Sequence, residues 1–511
     1  MEALATGFTA ILQPMVLLYL MGGLLMGALF GALPGLTATM GVALLTPITF
    51  WLNAEEGMAM LLGIYCGAIP AGGVPALLLN IPGTPASIAA SWDGYPLSQR
   101  GEAGLALGIN SVFGFIGQVT SVLFLAIAAF PIASFSLRFG PPEYFALALF
   151  GISLMAGVSG NQMAKGMLSG MLGLLVSTIG LDPMMAVARF TFGQAEFYDG
   201  IAFVPVMIGL FGVGEVFHQM LTDGASARVG SSPATPPAVL GRVLPDWAAW
   251  KRMLVPGAIG SGVGTVVGAI PAAGGDIAAV ICWEQTRRLS RKPEEFGKGS
   301  IEGLAASTTA CNSAIGGAMT TMLTLGIPGD APSAILIGAL LIHGVQPGPL
   351  LFRDNPALVY SIIGLMVLAA LLIAVLGVVA ARPLAAALRV PKPWLWTAIL
   401  LLSVVGSYAL SNAITDVWVM LAAGLLGLAF RWLQIPLGPL VLGLILGPMM
   451  ESNLRRALIL SRGDWESIFL RPIVAFLVVA ALLSLVWPLI QRYRSGRKPR
   501  DPLPGPGESG G

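Results

Sequence analysis

The chain has 511 residues, of which 56% are hydrophobic and 10% charged, with a net charge of +2 and a mean hydropathy of +0.84. A soluble domain carries roughly 25% charged residues, so most of the surface of this fold is expected to face lipid. The small net charge argues against a nucleic-acid partner, and three dispersed cysteines (Cys66, Cys282, Cys311) with two histidines (His218, His343) support neither a disulfide framework nor a metal cluster.

From the N-terminus, Met1–Gln13 carries no Lys or Arg and no small-residue cleavage site, so no cleaved signal peptide is expected. Apolar runs able to form membrane helices or half-helices follow at Met15–Phe30, Gly104–Ala133, Tyr144–Val158, Gly166–Ile179 and Ile201–His218. A polar stretch rich in Ser, Ala and Pro, Thr222–Asp246, then interrupts the pattern. Beyond it lie Leu254–Ile270, Leu358–Ala380, Leu395–Leu410, Trp418–Phe430, Leu437–Met450 and Ile468–Leu489. The prediction is an all-α polytopic membrane protein of roughly 10–14 membrane segments. The tail from Gln491 is basic first (Arg492, Arg494, Arg497, Lys498, Arg500) and then Pro/Gly-rich, the composition of a disordered cytoplasmic end.

Four Gly/Pro breaks punctuate these apolar runs. The first half has Gly31-Ala32-Leu33-Pro34-Gly35-Leu36-Thr37 and Asn80-Ile81-Pro82-Gly83-Thr84-Pro85; the second has Gly268-Ala269-Ile270-Pro271 and Gly326-Ile327-Pro328-Gly329-Asp330. Breaks at corresponding places in two halves are the sequence mark of a secondary transporter. Two structural repeats are therefore expected, over residues 1–221 and 251–490, joined by a polar linker 222–250 and followed by the tail 491–511. Each half closes alike, with Met207-Ile208-Gly209-Leu210 before Glu215 and Leu442-Gly443-Leu444-Ile445 before Glu451. The loop Arg287–Lys298 is strongly basic, which predicts a cytoplasmic location, while its counterpart Trp51–Gly57 holds Glu55 and Glu56 and no basic residue. That asymmetry favours repeats of inverted topology. Glu215 and Glu451 are expected near helix ends, in an interfacial role rather than in transport.

Backbone can leave helical geometry inside a bilayer only where protein or a water-filled cavity satisfies its polar groups. A helix restarting after a break offers free N–H groups and a positive dipole end, an arrangement that suits an anion. Candidate substrate-binding residues are Gly35, Thr37, Asn80, Gly83, Thr84, Asn312, Gly316 and Gly329, with no arginine among them. Candidate ion-coupling residues are Asp276, Thr308, Asn312 and Asp330; Asp330 fits equally well as a helix N-cap. No structural metal, catalytic residue or cofactor is expected, only a coupling cation, Na⁺ or H⁺.

In these motifs the chain resembles the large permease subunit of the tripartite tricarboxylate transporters, the TctA family. The resemblance runs through Gly31–Thr37, Leu79–Ser87 with Asp93-Gly94-Tyr95-Pro96, Arg189-Phe190-Thr191-Phe192-Gly193, and Glu295-Phe296-Gly297-Lys298-Gly299. It continues through Thr324–Gly329, Gly344–Leu351 and Gly438–Arg456, so that it covers nearly the whole chain. It implies an ion-driven symport of tricarboxylates or related carboxylates across a bacterial inner membrane. It also implies two partners, a small membrane subunit and a periplasmic solute-binding protein. Two departures stand out against the family pattern. Pro70-Ala71-Gly72-Gly73 replaces an aromatic-Gly-Gly-Ser run, and Thr308-Thr309-Ala310-Cys311-Asn312 lacks the expected acidic residue and one asparagine. Asp276 is expected to supply the charge missing at Thr308.

The competing readings are a stand-alone ion-coupled carboxylate transporter or a channel without a dedicated binding protein. A channel would place polar rings along a pore, whereas here polar residues cluster at the breaks. An enzyme is not expected: neither Gly-x-Ser-x-Gly with a His partner, nor His-Glu-x-x-His, nor a phosphate-cradling Gly-x-x-x-x-Gly-Lys loop occurs.

Overall fold

A computed structural model describes residues 2–33, 35–158, 163–182, 184–226, 242–271, 273–379 and 392–495. Pro34 of the first break, most of the inter-half linker and the tail from residue 496 lie outside them. The architecture is all-α. Its helices are α1 (Glu2–Ile11), α2 (Pro14–Ala32), α3 (Ala38–Leu45), α4 (Ala54–Ala71), α5 (Gly73–Leu79), α6 (Ile88–Leu97), α7 (Ala103–Ser136), α8 (Pro141–Val158), α9 (Met163–Ser177), α10 (Phe203–Met207) and α11 (Gly214–Ser226). A π-helical turn, Ile208–Val213, makes α10 and α11 one continuous run. The second half has α12 (Trp247–Gly268), α13 (Gly274–Leu289), α14 (Ile301–Leu325), α15 (Ala331–Ile342), α16 (Pro349–Asp354), α17 (Pro356–Val379), α18 (Lys392–Ser411), α19 (Ile414–Trp432), α20 (Leu437–Leu460), α21 (Trp465–Phe469) and α22 (Pro472–Ser495). Among the described residues β structure is confined to a two-residue pair, Gly180–Leu181 with Ala188–Arg189.

Eight described helices are long and apolar enough to cross a membrane, and four shorter apolar helices accompany them. Two central helices, α4 and α14, fall outside the runs expected from hydropathy. Both are buried, every residue from Gly57 to Ala71 and from Gly303 to Thr320 being enclosed by protein; α4 with α5 is nevertheless apolar enough to be one of the eight spans (mean hydropathy 1.7), and only α14 is absent from them. A helix with no lipid face is free to carry Ser307, Thr308, Thr309, Asn312 and Ser313.

Both buried helices start on side-chain caps. Asn53 Oδ1 accepts from the Glu56 N–H at 2.8 Å to begin α4, and Ser300 Oγ accepts from the Gly303 N–H at 3.2 Å to begin α14. Each then packs in parallel against a glycine ladder. A Cβ on Gly23, Gly27 or Gly31 of α2 would run into the carbonyl oxygen of Met60, Ile64 or Ala68 on α4. On α12 the ladder is Gly260, Gly264 and Gly268, against the carbonyls of Ala306, Ala310 and Ala314 on α14. The four-residue spacing puts each set on one helix face. Without side chains there, the backbones approach closely, as small residues allow in membrane helix pairs.

α14 also serves as a ruler, its 25 residues spanning roughly 37 Å at 1.5 Å per residue. In its first turn Glu302 pairs with Arg252 of α12 at 3.0 Å, and Arg252 also holds Glu295 of the basic loop at 2.7 Å. At its other end the Leu323 carbonyl accepts from Gly348 N–H at 3.0 Å. The segment leading to Gly348 begins at His343, whose Nε2 would lie 2.9 Å from a Cβ on Gly57. The loops before α4 and before α14 thus sit at opposite ends of the same helix. Glu215 and Glu451, expected at helix ends, lie instead inside helical runs, and each pairs with arginine: Glu215 with Arg431, Glu451 with Arg189 and Arg455.

Candidate transport site

The two later breaks are built alike. Asn80 (φ 57°) ends α5 and Gly326 (φ 72°) ends α14 in the left-handed region. The chain then doubles back, so that a Cβ on Gly83 would strike the Gly31 carbonyl and one on Gly329 the Gly268 carbonyl. Only glycine permits either approach. Thr84 N–H donates to Ser87 Oγ at 3.3 Å and Ser87 Oγ–H to the Thr84 carbonyl at 2.7 Å; Asp330 and Ser333 make the same pair at 3.0 and 2.9 Å. The breaks therefore abut the ends of the two glycine ladders.

Asp330 is an N-cap, its Oδ1 accepting from Ser333 N–H at 3.0 Å. Its other carboxylate oxygen accepts a hydrogen bond from the Tyr65 hydroxyl on α4, which ties the second-half break to the first-half core helix. Asp276, in the first turn of α13, stands beside it: a Cβ on Gly274 would lie 2.8 Å from Asp276 Oδ1 and 3.7 Å from Asp330 Cβ. Asp276 is exposed, whereas Thr308 is completely buried. The two positions have different surroundings.

A second group lies where α7 meets α14. Asn312 Nδ2 donates to the Thr308 carbonyl at 2.9 Å, but among the described residues Asn312 Oδ1 and Thr308 Oγ1 have no partner. Neither polar atom of Gln118 on α7 has one of standard geometry, although the Cys66 thiol of α4 is a neighbour. Thr84 Oγ1, packed against Gly72, is also without a partner among the described residues. Buried polar groups are almost always hydrogen-bonded, so a cluster of orphans marks a place built for something else.

The remaining candidates have the following surroundings. Gly35 (φ +89°) gives its carbonyl to Gln219 Nε2 at 2.6 Å, and Thr37 caps α3 through Met40 N–H at 3.2 Å. Asn80 is exposed, and Gly316 leaves room for Ser121 of α7. Tyr65 and Gln118 escaped the sequence reading. Gln118 had a usable signal, an amide inside the long apolar run of α7; Tyr65 has no local one, because Asp330 is 265 residues away.

Two polar staples hold the surrounding elements. Asp93 of α6, completely buried, accepts from Trp283 Nε1 at 2.7 Å and from the N–H groups of Gly297, Gly299 and Ser300 at 2.8, 3.1 and 2.8 Å. Elsewhere, Asp182 of the β-hairpin, Arg455 and Glu451 of α20, and Arg189 form one network, with Arg455–Asp182 at 2.6 Å and Arg189–Glu451 at 2.6 Å. Backbone N–H groups of Met185 and Met184, with Arg455, hold the Asp182 carboxyl down at about 2. The Arg189-Phe190-Thr191-Phe192-Gly193 stretch is thereby fixed to α20, with Phe192 84% exposed at its tip.

A family model described as the tripartite tricarboxylate transporter TctA family matches residues 17–442. An uncharacterised 52.8 kDa protein in the TAR-I ttuC' 3' region of Agrobacterium vitis is 36% identical over 497 residues, covering 97% of each chain. An uncharacterised protein in the TAR-II ttuC' 3' region of the same organism is 34% identical over 234 residues, 46% of this chain and 97% of the relative. No solved structure matches.

Proposed function

The chain belongs to the tripartite tricarboxylate transporter TctA family, and on that premise we propose that it is the large membrane subunit of a binding-protein-dependent importer of tricarboxylates or related carboxylates, driven by an Na⁺ or H⁺ gradient. The observation that carries this reading is the like construction of two Gly/Pro-broken segments, each folded against the end of a glycine ladder, together with buried polar side chains unpaired among the described residues. A solute held there would have backbone N–H groups of restarting helices and neutral oxygens and amides around it.

The protein works, on this reading, as two repeats of inverted topology, with residues 1–221 and 251–490 moving against each other to expose the site alternately. The placement of residues 51–57 and 290–299 at opposite ends of α14 supports the inversion. On this reading the basic loop argues for a cytoplasmic α14 N-terminal end, and the tail's own basic residues argue the same for the C-terminus. A small membrane subunit and a periplasmic solute-binding protein complete the system. In proteoliposomes containing both membrane subunits, labelled tricarboxylate presented on its binding protein should accumulate only under an imposed Na⁺ or proton gradient. Accumulation without any gradient removes ion coupling, and full uptake without the binding protein removes the tripartite assignment.

A further inference from the structure

We propose that Gln118, Thr308 and Asn312 form a carboxylate-free Na⁺ site between α7 and α14, and that this site holds the coupling ion of the transport cycle proposed above. All three side chains are completely buried. Hydroxyl residues in an apolar helix ordinarily bond back to the preceding turn, and α14 shows this throughout: Ser307, Thr309, Ser313, Thr320 and Thr324 each donate to a carbonyl of their own helix at 2.6 to 3.2 Å. Among the described residues, Thr308 alone of the α14 hydroxyls leaves its oxygen unpaired.

One turn on, Asn312 spends its amide N–H on the Thr308 carbonyl, which fixes the orientation of the side chain and leaves Oδ1 without a donor. The opposing helix makes room for this amide. A Cβ on Gly114 of α7 would lie 3.2 Å from Asn312 Nδ2, and Gly117 abuts the Thr309 carbonyl. Gln118 is four residues after Gly114, on the same face of α7. Among the described residues its own oxygen has no donor of standard geometry, the Cys66 thiol being its neighbour.

What the site lacks decides the ligand. Its unpaired groups are mostly oxygens, so the missing partner brings positive charge or hydrogen. None of the three side chains titrates near neutral pH, which removes the proton as their ligand. Divalent Mg²⁺ and Ca²⁺ sites are built on carboxylates, and none is present in this set. Neutral amide and hydroxyl oxygens in a dry site suit a monovalent hard cation.

The test needs neither substrate nor partner. Purified protein in detergent is heated in NaCl, KCl or choline chloride at one ionic strength, and ²²Na⁺ binding is measured in parallel. Sodium alone should raise the unfolding midpoint, saturably, with matching ²²Na⁺ binding. Gln118→Leu should weaken the apparent Na⁺ affinity at least tenfold, whereas Ser307→Ala, whose hydroxyl is already bonded, should keep it. The isosteric Gln118→Glu, which preserves packing, should bind Na⁺ more tightly and make that binding pH-dependent. A midpoint indifferent to Na⁺ overturns the site, as does a Na⁺ response unchanged in both Gln118 variants; an ordered water there would give that result. Sodium binding without Na⁺-driven uptake leaves the site standing and removes its coupling role. Na⁺-driven uptake with Na⁺ protection unchanged in the variants does the reverse.

Discussion

Asp93 is a buried carboxylate whose charge is balanced by four N–H donors, among the described residues with no basic side chain paired to it. Three of those donors are backbone groups of the segment that caps α14, so one side chain from the first half fixes the entry to the central helix of the second. Removing it leaves two buried donors, Trp283 Nε1 and the Ser300 N–H, unmatched, each costing about 1–3 kcal/mol, while the N–H groups of Gly297 and Gly299 lie nearer solvent. Asp93→Ala is therefore expected to destabilise the protein by at least about 3 kcal/mol, seen as a large drop in the detergent unfolding midpoint, with Asp93→Asn intermediate. A midpoint within a degree of wild type would show that water replaces the carboxylate. The sequence marked Asp93-Gly94-Tyr95-Pro96 and Glu295–Gly299 as distinctive but could not join them. Their contact spans about two hundred residues, and neither stretch carries a local sign of the other.

The glycines of α2 and α12 do the corresponding work for whole elements, and their individual roles separate cleanly. Gly27 and Gly264 face carbonyl backbone of α4 and α14, where a methyl group has no space, while Gly22 and Gly262 have nothing within 4 Å. Gly27→Ala and Gly264→Ala should each cost about 1–3 kcal/mol as the helices are forced apart. Gly22→Ala and Gly262→Ala should be neutral or gain up to about 1 kcal/mol from helix propensity. Unfolding midpoints of the four variants check the contrast, and equal effects from all of them would remove the ladder. This packing was only partly legible in the sequence. The breaks showed themselves because Gly and Pro act on the local backbone. The helix α14 did not stand out, because hydropathy reports contact with lipid and α14 touches protein along nearly its whole length; α4, with α5, is apolar enough to be read as a span, and the sequence carried that signal. Likewise Asp330 was readable as a cap, since Ser333 follows it at the right spacing, but its tie to Tyr65 belongs to tertiary structure.

At the scale of the molecule, the two halves share a local construction yet differ in charge: Asp330 in the second break stands where Thr84 stands in the first. Two such halves can exchange equivalent conformations, and so present one centre to either side of the membrane, if they enter from opposite sides. The ends of α14 give that arrangement a measurable form. Trp51, 66% exposed, belongs to the loop before α4, and the exposed Arg291 belongs to the loop before α14. The hairpin bearing Phe192 leads into Phe203, which meets Gly338 in the half of α15 that runs toward His343, so Phe192 should share the side of Trp51. The native cysteines Cys66, Cys282 and Cys311 are buried and give little background. In right-side-out vesicles an impermeant maleimide should label Trp51→Cys and Phe192→Cys directly, and Arg291→Cys only after permeabilisation. Positive charge on the Arg291 loop sets that direction. Labelling of Trp51→Cys and Arg291→Cys from the same side would break the inverted arrangement and, with it, alternating access by exchange of two equivalent halves.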